Sequence, residues 1–229
     1  GMMGGYPGAT NGYRFKRSSD VLERMADSHL VEDVDELSGE DVTLELRQIE
    51  FLQTASDVYA VLCSAAGGFG DPLDREPESV RADVEQYSVT AEVAKQIYGV
   101  VLAEGAIDMA ATEALRSERR AQRKGNGSVE RSDEPVVVEL TENLHLRGGN
   151  YCCAKCAAKL AQRDSNYKDG CVCEDHAVSS SNPLIGDPVR FIDDDPVFRQ
   201  FFCPGCGSLI ENEVAMRTDP YLMDLSLNS

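Results

Sequence analysis

The sequence predicts an α+β chain in two parts: a small β-rich, then helical, N-terminal segment, and a β domain organised by cysteines. Three observations predict it. Val42-Thr-Leu-Glu-Leu-Arg47 alternates apolar and polar residues with the two-residue period of a strand. Residues 76–124 carry helix start and stop signals instead. Of the eight cysteines, all but Cys63 lie between Cys152 and Cys206. Among these, Cys153-Ala-Lys-Cys156 and Cys203-Pro-Gly-Cys206 are two CxxC units separated by a long insert. One CxxC turn presents two sulfurs to one ion, and two such turns close a tetrahedral shell with no open position. The spacing therefore predicts a structural zinc site at Cys153, Cys156, Cys203 and Cys206, inside a zinc-ribbon-like β domain.

Taken in order, residues 1–20 are Gly-rich and polar, with turn signals at Tyr6-Pro7-Gly8 and Asn11-Gly12. Gly1 ahead of Met2 reads as the scar of a cleaved tag. Val21 to Ala26 reads as a short strand or a turn of helix. The acidic stretch 31–41 lacks the glycine and glutamate of a calcium loop and reads as a solvated loop. Tyr59-Ala-Val-Leu-Cys63 is a second strand, and Cys63 is expected to be a buried small hydrophobe. Ala65-Ala-Gly-Gly-Phe-Gly-Asp-Pro-Leu-Asp-Arg75 offers three glycines as a phosphate cradle. No Lys-Ser or Lys-Thr follows, and Asp71 would repel a phosphate. A tight, buried crossing of backbone, where side chains do not fit, is the preferred reading.

Pro77 and its flanking acids open one helix. Thr90 caps a second, from Ala91 to Ile97, with Gly99 ending it. Val100 to Leu102 is a short strand. Asp108 caps a third helix through Leu115, which runs into the basic tail Arg116–Lys124. That tail is a tempting anion site, but cations also favour the negative C-terminal end of a helix, and a solvated helix end is expected. Residues 125–135 are polar and read as a linker between a first domain, 1–124, and a second, 136–229. Strands are expected at Val136–Leu140, Leu144–Leu146 and Glu211–Met216. The end of the chain, Asp219 to Ser229, is too apolar to float and is expected to dock.

Within the second CxxC unit, Pro204 pre-sets a turn, and Gly205 and Gly207 allow positive φ. The first unit has Ala157 where a second glycine would help. A thioredoxin-like redox pair would need a strand–CxxC–helix context, whereas Phe201-Phe202 and Ser208-Leu-Ile210 flank Cys203–Cys206 as strands. Disulfides would need an oxidising compartment. Cys171, Cys173 and His176 supply three of the four ligands of a closed site. They read as packing or loop positions, with a second metal as the alternative. Cys152 reads as a spectator beside Cys153. His29 and His145 lack a positioned partner, so no catalytic residue is assigned.

The net charge of −18 and pI of about 4.5 speak against nonspecific nucleic-acid binding. No apolar run approaches the length of a membrane span, and the N-terminus lacks the basic start and apolar stretch of a signal peptide. Cytoplasmic residence is the expectation.

Two segments carry a resemblance. Ala65 to Leu115, with GGFGDPLDR, Val93-Ala-Lys-Gln-Ile-Tyr-Gly-Val-Val-Leu102 and Ala110-Ala-Thr-Glu-Ala-Leu115, resembles the C-terminal end of hydantoinase B-type subunits. Gly4-Gly-Tyr-Pro-Gly8 is similar to an earlier glycine-rich stretch of that family. Residues 136–225 resemble the small zinc-carrying gamma subunit of acetone carboxylase. They do so through Asn143-Leu144, Asn166-Tyr-Lys168, Phe201-Phe-Cys-Pro-Gly-Cys-Gly207 and Asp219-Pro-Tyr-Leu-Met-Asp224. Together the resemblances imply a structural, non-catalytic subunit of a biotin-independent, ATP-dependent ketone carboxylase of the acetone/acetophenone type. Such an enzyme joins bicarbonate and a ketone into a β-keto acid. They imply a hetero-oligomer with hydantoinase A-like and hydantoinase B-like large subunits, which hold ATP, with or without a divalent metal. They further imply that the front portion of the hydantoinase B-like fold comes from another chain. Three alternatives stay open: a freestanding zinc-ribbon interaction protein, a rubredoxin-like iron carrier, and a subunit of a hydantoinase/oxoprolinase-type amidohydrolase complex.

Overall fold

The computed structural model describes residues 1–44, 49–182, 185, 187–190 and 192–227. It divides into two compact units, Ala9–Ala65 and Gly1–Gly8 with Ala66–Ser229.

The Ala9–Ala65 unit is built on β1 (Gly12–Arg17), followed by helix α1 (Val21–Ala26), β2 (Glu40–Val42) and β3 (Val58–Leu62). The antiparallel order is β2-β1-β3. Phe15 is its buried centre, with the rings of Phe51 and Tyr59 at 4.7 and 4.5 Å. The acidic stretch works locally. The Asp33 carboxylate accepts from the Asp35 N–H and the Glu36 carboxylate from the Asp33 N–H, a capping box around a 3₁₀ turn at Val34–Glu36. Asp33 also meets Arg14 at 3.2 Å. Of the strand expected over 42–47, Val42 ends β2, and Glu45, Leu46 and Arg47 lie outside the described residues. The Tyr59 strand is present as β3. Cys63, expected to be buried, is exposed. It follows the last paired residue of an outer strand, where Val61 and Leu62 are exposed too, so nothing among the described residues covers it.

In the other unit the helical expectations hold as α2 (Pro77–Glu85), α3 (Ala91–Gln96) and, after a hairpin of β4 (Leu102–Ala103) and β5 (Ala106–Ile107), α4 (Met109–Gln122). The Val93 N–H donates to Thr90 Oγ1 at 3.1 Å, and the Ala111 N–H to Asp108 Oδ1 at 2.9 Å, the two expected caps. Val80, Ala94 and Val100 form a small core beneath them. The basic tail departs from expectation. It is the second half of α4, and its arginines are half-buried rather than solvated. Arg116 donates to the carbonyls of Tyr98 and Arg75, Arg119 to that of Gln96, and Arg120 to that of Leu73. Five donors on each guanidinium suit them to carbonyls that helix and turn ends leave free.

Seven antiparallel strands follow in two sheets. One has the order β6 (Val136–Glu139), β7 (Leu144–Arg147), β8 (Asn150–Cys153), β9 (Lys159–Gln162). The other is β10 (Val172–Ala177), β11 (Pro196–Phe202), β12 (Leu209–Met216). Every residue of β11 from Val197 to Phe202 is buried, because both faces of this central strand are covered. Arg199 is tolerated there because Asp175, Glu213 and two carbonyls take its protons. Part of the polar stretch 125–135 lies alongside the first cysteine turn. The Ser132 N–H donates to the Ala157 carbonyl, and the Lys159 N–H to the Glu130 carbonyl, each at 2.9 Å.

The glycine-rich crossing is also present, but Gly67, Gly68 and Phe69 are exposed where a buried crossing was expected. Gly68 N–H donates to the Tyr6 carbonyl and Gly70 N–H to that of Met2, at 2.8 and 3.0 Å. A Cβ on Gly5 would overlap the Gly68 carbonyl, so only glycine lets these strands of chain approach. At the other end, the tail docks on its own core through Leu225 and Leu227. Asn166, Tyr167 and Lys168 grip it. Lys168 Nζ donates to the Leu222 carbonyl at 2.9 Å, Tyr167 OH to Asp224 at 3.1 Å and Asn166 Nδ2 to the Tyr221 carbonyl at 3.3 Å.

Candidate metal centre

Two turns carry the cysteines, one after β8 and one after β11, and they have the same hydrogen bonds. In the first, Cys153 N–H donates to the Ala158 carbonyl and Ala157 N–H to that of Cys153, both at 2.9 Å. In the second, Cys203 N–H donates to Ser208 and Gly207 N–H to Cys203, again at 2.9 Å. Ala157 and Gly207 therefore occupy equivalent places, and both are left-handed, with φ of 57° and 72°. Ala157 makes the turn despite its Cβ. Gly205, expected to use positive φ, does not. Its lack of a side chain serves proximity instead, since a Cβ there would sit 3.1 Å from Cys156 Sγ and 3.2 Å from Ala158 Cβ.

The turns bring four sulfurs to one point. All four Sγ atoms lie within 4.8 Å of one another. Cys153 and Cys206 are 3.7 Å apart, and Cys156 and Cys203 are 3.5 Å apart, too far for a disulfide. A tetrahedron with metal–sulfur bonds of about 2.3 Å has edges of about 3.8 Å, so the quartet fits a tetrahedral thiophilic ion. Backbone N–H groups of Cys156, Cys206 and Ser208 point at the sulfurs of Cys153, Cys203 and Cys206. Charge tells the same story. The Cys153 and Cys203 contacts hold the Cys206 thiol far below its ordinary range. Contact with Cys153, then with Cys206, and burial push Cys203 up. Cys203 draws Cys153 down, but Cys206 and burial outweigh it and push Cys153 up to about 12. So small a space holds one thiolate readily and four only around a cation.

Residues that spacing did not single out clamp the two turns together. Asp71, with a fully buried side chain, accepts from the Leu209 N–H at 3.0 Å, just past the second turn. It also takes the Leu73 N–H at 3.0 Å and Arg123 at 3.2 Å on both oxygens. Asp74 pairs with Arg120 and with Lys155, which lies between Cys153 and Cys156. The 3₁₀ turn Pro72–Asp74 thus spans from one knuckle to the other. The usable signal was an acid at Asp71 in a glycine-rich segment that had no phosphate to bind.

The other candidates do not join the quartet. Among the described residues, the four cysteines form the one group of His, Cys, Asp and Glu close enough to share an ion. Cys171 points at the Tyr167 carbonyl at 3.6 Å, and burial pushes its thiol up. Cys173 is pushed up by burial and touches Tyr221. His176 pairs with Glu174 at 3.3 Å. Cys152 is buried, with Sγ 3.7 Å from the Asn150 carbonyl, and burial raises it. His29 pairs with exposed Glu36 at 3.6 Å, and His145 Nδ1 is buried without a hydrogen-bond partner among the described residues. No helix among them is long and apolar enough to cross a membrane.

The family model for the acetone carboxylase gamma subunit matches residues 131–228. The acetophenone carboxylase beta subunit of Aromatoleum aromaticum is 32% identical over 96 residues, covering 40% of this chain and 74% of that protein. The acetone carboxylase alpha subunit of Xanthobacter autotrophicus is 36% identical over 142 residues, covering 54% of this chain. The chain spans 18% of the length of that alpha subunit. A solved nucleotide-free acetone carboxylase, from work on the mechanism of ATP-dependent acetone carboxylation, is 30% identical with a TM-score of 0.41. It covers 53% of this chain and 18% of the other.

Proposed function

Because this chain belongs to the acetone carboxylase gamma-subunit family, we propose that it is a structural zinc-holding subunit of a biotin-independent, ATP-dependent ketone carboxylase. The observation that carries the reading is the sulfur quartet, with both its turns tied to the Asp71–Asp74 segment. Cys153, Cys156, Cys203 and Cys206 would hold the zinc. The bound ion supplies charge neutralisation and a cross-link, on the order of 10 kcal/mol of apparent binding energy in small zinc domains. Four sulfurs leave no open position, so the site has a structural rather than a hydrolytic character.

The chain's own residues do the rest of the work. Asp71 and Asp74 fix the knuckles against α4, and Asn143 and Asn212 take the N-terminal glycine segment, donating to the carbonyls of Met3 and Gly5 at 2.6 and 2.7 Å. The result is a rigid platform. Its partners in this reading are hydantoinase A-like and hydantoinase B-like large subunits, which carry ATP and the ketone chemistry in the cytoplasm. The sequence division at 125–135 is, in the same reading, where a hydantoinase B-like segment meets the gamma-like domain. Similarity to an alpha subunit as well as to a small subunit favours such a composite.

The test has two arms. Metal analysis of purified protein is expected to find one zinc per chain, lost together with folded structure in Cys203→Ser. Iron, a red colour, or full zinc retained in Cys203→Ser would refute the assignment. Tagged full chain, expressed with its neighbouring reading frames, is expected to co-purify with two larger subunits; isolation alone under those conditions would refute the complex.

A further inference from the structure

Arg119 is the odd member of the arginine row on α4. Arg120 and Arg123 meet Asp74 and Asp71, but Arg119 has no carboxylate partner among the described residues. One of its nitrogens donates to the Gln96 carbonyl at 2.6 Å. Burial, then the charge of Arg123, hold its pKa below the ordinary guanidinium value. The side chain borders an open cavity of about 270 Å³ between the ends of α3 and α4 and the sheet of β10 and β11. Arg123, His176, Gln200 and Phe202 share the lining.

Gln200 supplies the second, independent observation. It is 5% exposed, it lines this cavity, and its Nε2 has no hydrogen-bond partner among the described residues. A buried amide donor without an acceptor keeps its desolvation cost and gains nothing for it, so an incoming acceptor is favoured. The last torsion of a glutamine is soft, so the amide can turn to an incoming oxygen. The acid that faces the cavity, Glu174, lies 3.3 Å from His176. Asp71 already neutralises Arg123, whose guanidinium lies 4.9 Å from the Phe202 ring centre. Glu174 is engaged by His176, and among the described residues Arg119 has no carboxylate partner and Gln200 Nε2 no acceptor at all, a need that two oxygens on one atom would meet.

We propose that this cavity binds a small oxyanion, a phosphate or a short carboxylate, between the Arg119 guanidinium and the Gln200 carboxamide. The proposal is independent of the metal and of the partner subunits.

Calorimetric titration of the full, metal-loaded chain in chloride buffer, with inorganic phosphate and separately with malonate, tests it. Saturable binding of one ion per chain is expected for at least one of the two, and the tighter identifies the source chemistry. Arg119→Gln is expected to weaken that binding at least about tenfold, the worth of one charge-assisted hydrogen-bonded contact. Gln200→Glu, which keeps the size but places a carboxylate in the wall, is expected to abolish it. Arg81→Gln, on the exposed face of α2, is expected to leave it unchanged. Absence of saturable binding by both ions, or equal affinity in wild type and in either cavity variant, overturns the proposal.

Discussion

Ala157 and Gly207 stand at the same place in two equivalent turns, and only one of them is a glycine. An alanine at φ of 57° carries a steric cost of about 1–2 kcal/mol, partly offset by its smaller unfolded-state entropy. Ala157→Gly is therefore expected to stabilise the metal-loaded chain by about 0.5–1 kcal/mol, read as a higher denaturant midpoint. Gly207→Ala combines left-handed strain with overlap of its Cβ on the Arg120 carbonyl. It is expected to cost about 2–6 kcal/mol, the sum of backbone strain and overpacking. An unchanged midpoint in both variants would contradict the equivalence of the turns.

Single elements are held together by residues distant in sequence. The Pro72–Asp74 turn matters through Asp74 and its capping residue Asp71. Asp71→Ala leaves Arg123, 14% exposed, without its carboxylate and Leu209 N–H without its acceptor. A loss of about 3–5 kcal/mol is expected, as for other broken buried pairs. The double variant Asp71→Ala/Arg123→Met should recover part of it; strict additivity in that cycle would mean the pair is not coupled. The docked tail is a second such element. Tyr221 packs on Phe201 at 4.9 Å, and contact with Cys173, then burial, push its hydroxyl from 10.0 up to about 12. Below pH 10 Tyr221 is protonated in both the docked and the free tail, so it adds no pH dependence to docking there. From 10 to about 12 the free tail ionises first, and docking weakens. Tyrosinate absorbance and tail proteolysis followed together should show release in that window; release below it would point to a different group.

At the scale of the whole molecule, the Ala9–Ala65 unit is an excursion whose ends meet. Ala65 N–H donates to the Ala9 carbonyl at 3.2 Å and Ser64 N–H to Asn11 at 2.6 Å. None of the four clustered cysteines lies in it. Replacing residues 9–65 with a short glycine linker is expected to leave metal stoichiometry and the far-ultraviolet spectrum of the remainder intact. Loss of metal binding in that deletion would mean that the units do not fold separately.

The approach of the four cysteines, the caps at Thr90 and Asp108 and the strands β6, β7 and β12 were legible in the chain, whereas β8, β9 and β10 were not. Each depends on neighbours a few residues apart, and local geometry restricts what a CxxC turn, a capping side chain or an alternating run can do. The glycine crossing was legible for the same reason. The burial of the α4 arginines, the exposure of Cys63 and the clamp from Asp71 and Asp74 were not. They depend on which surfaces meet between elements distant in sequence, 18 residues apart for Arg116 and Tyr98 and 138 for Asp71 and Leu209. The chain by itself determined which atoms can bind an ion; tertiary structure alone decided what braces them, because long-range partners leave no period or spacing to read.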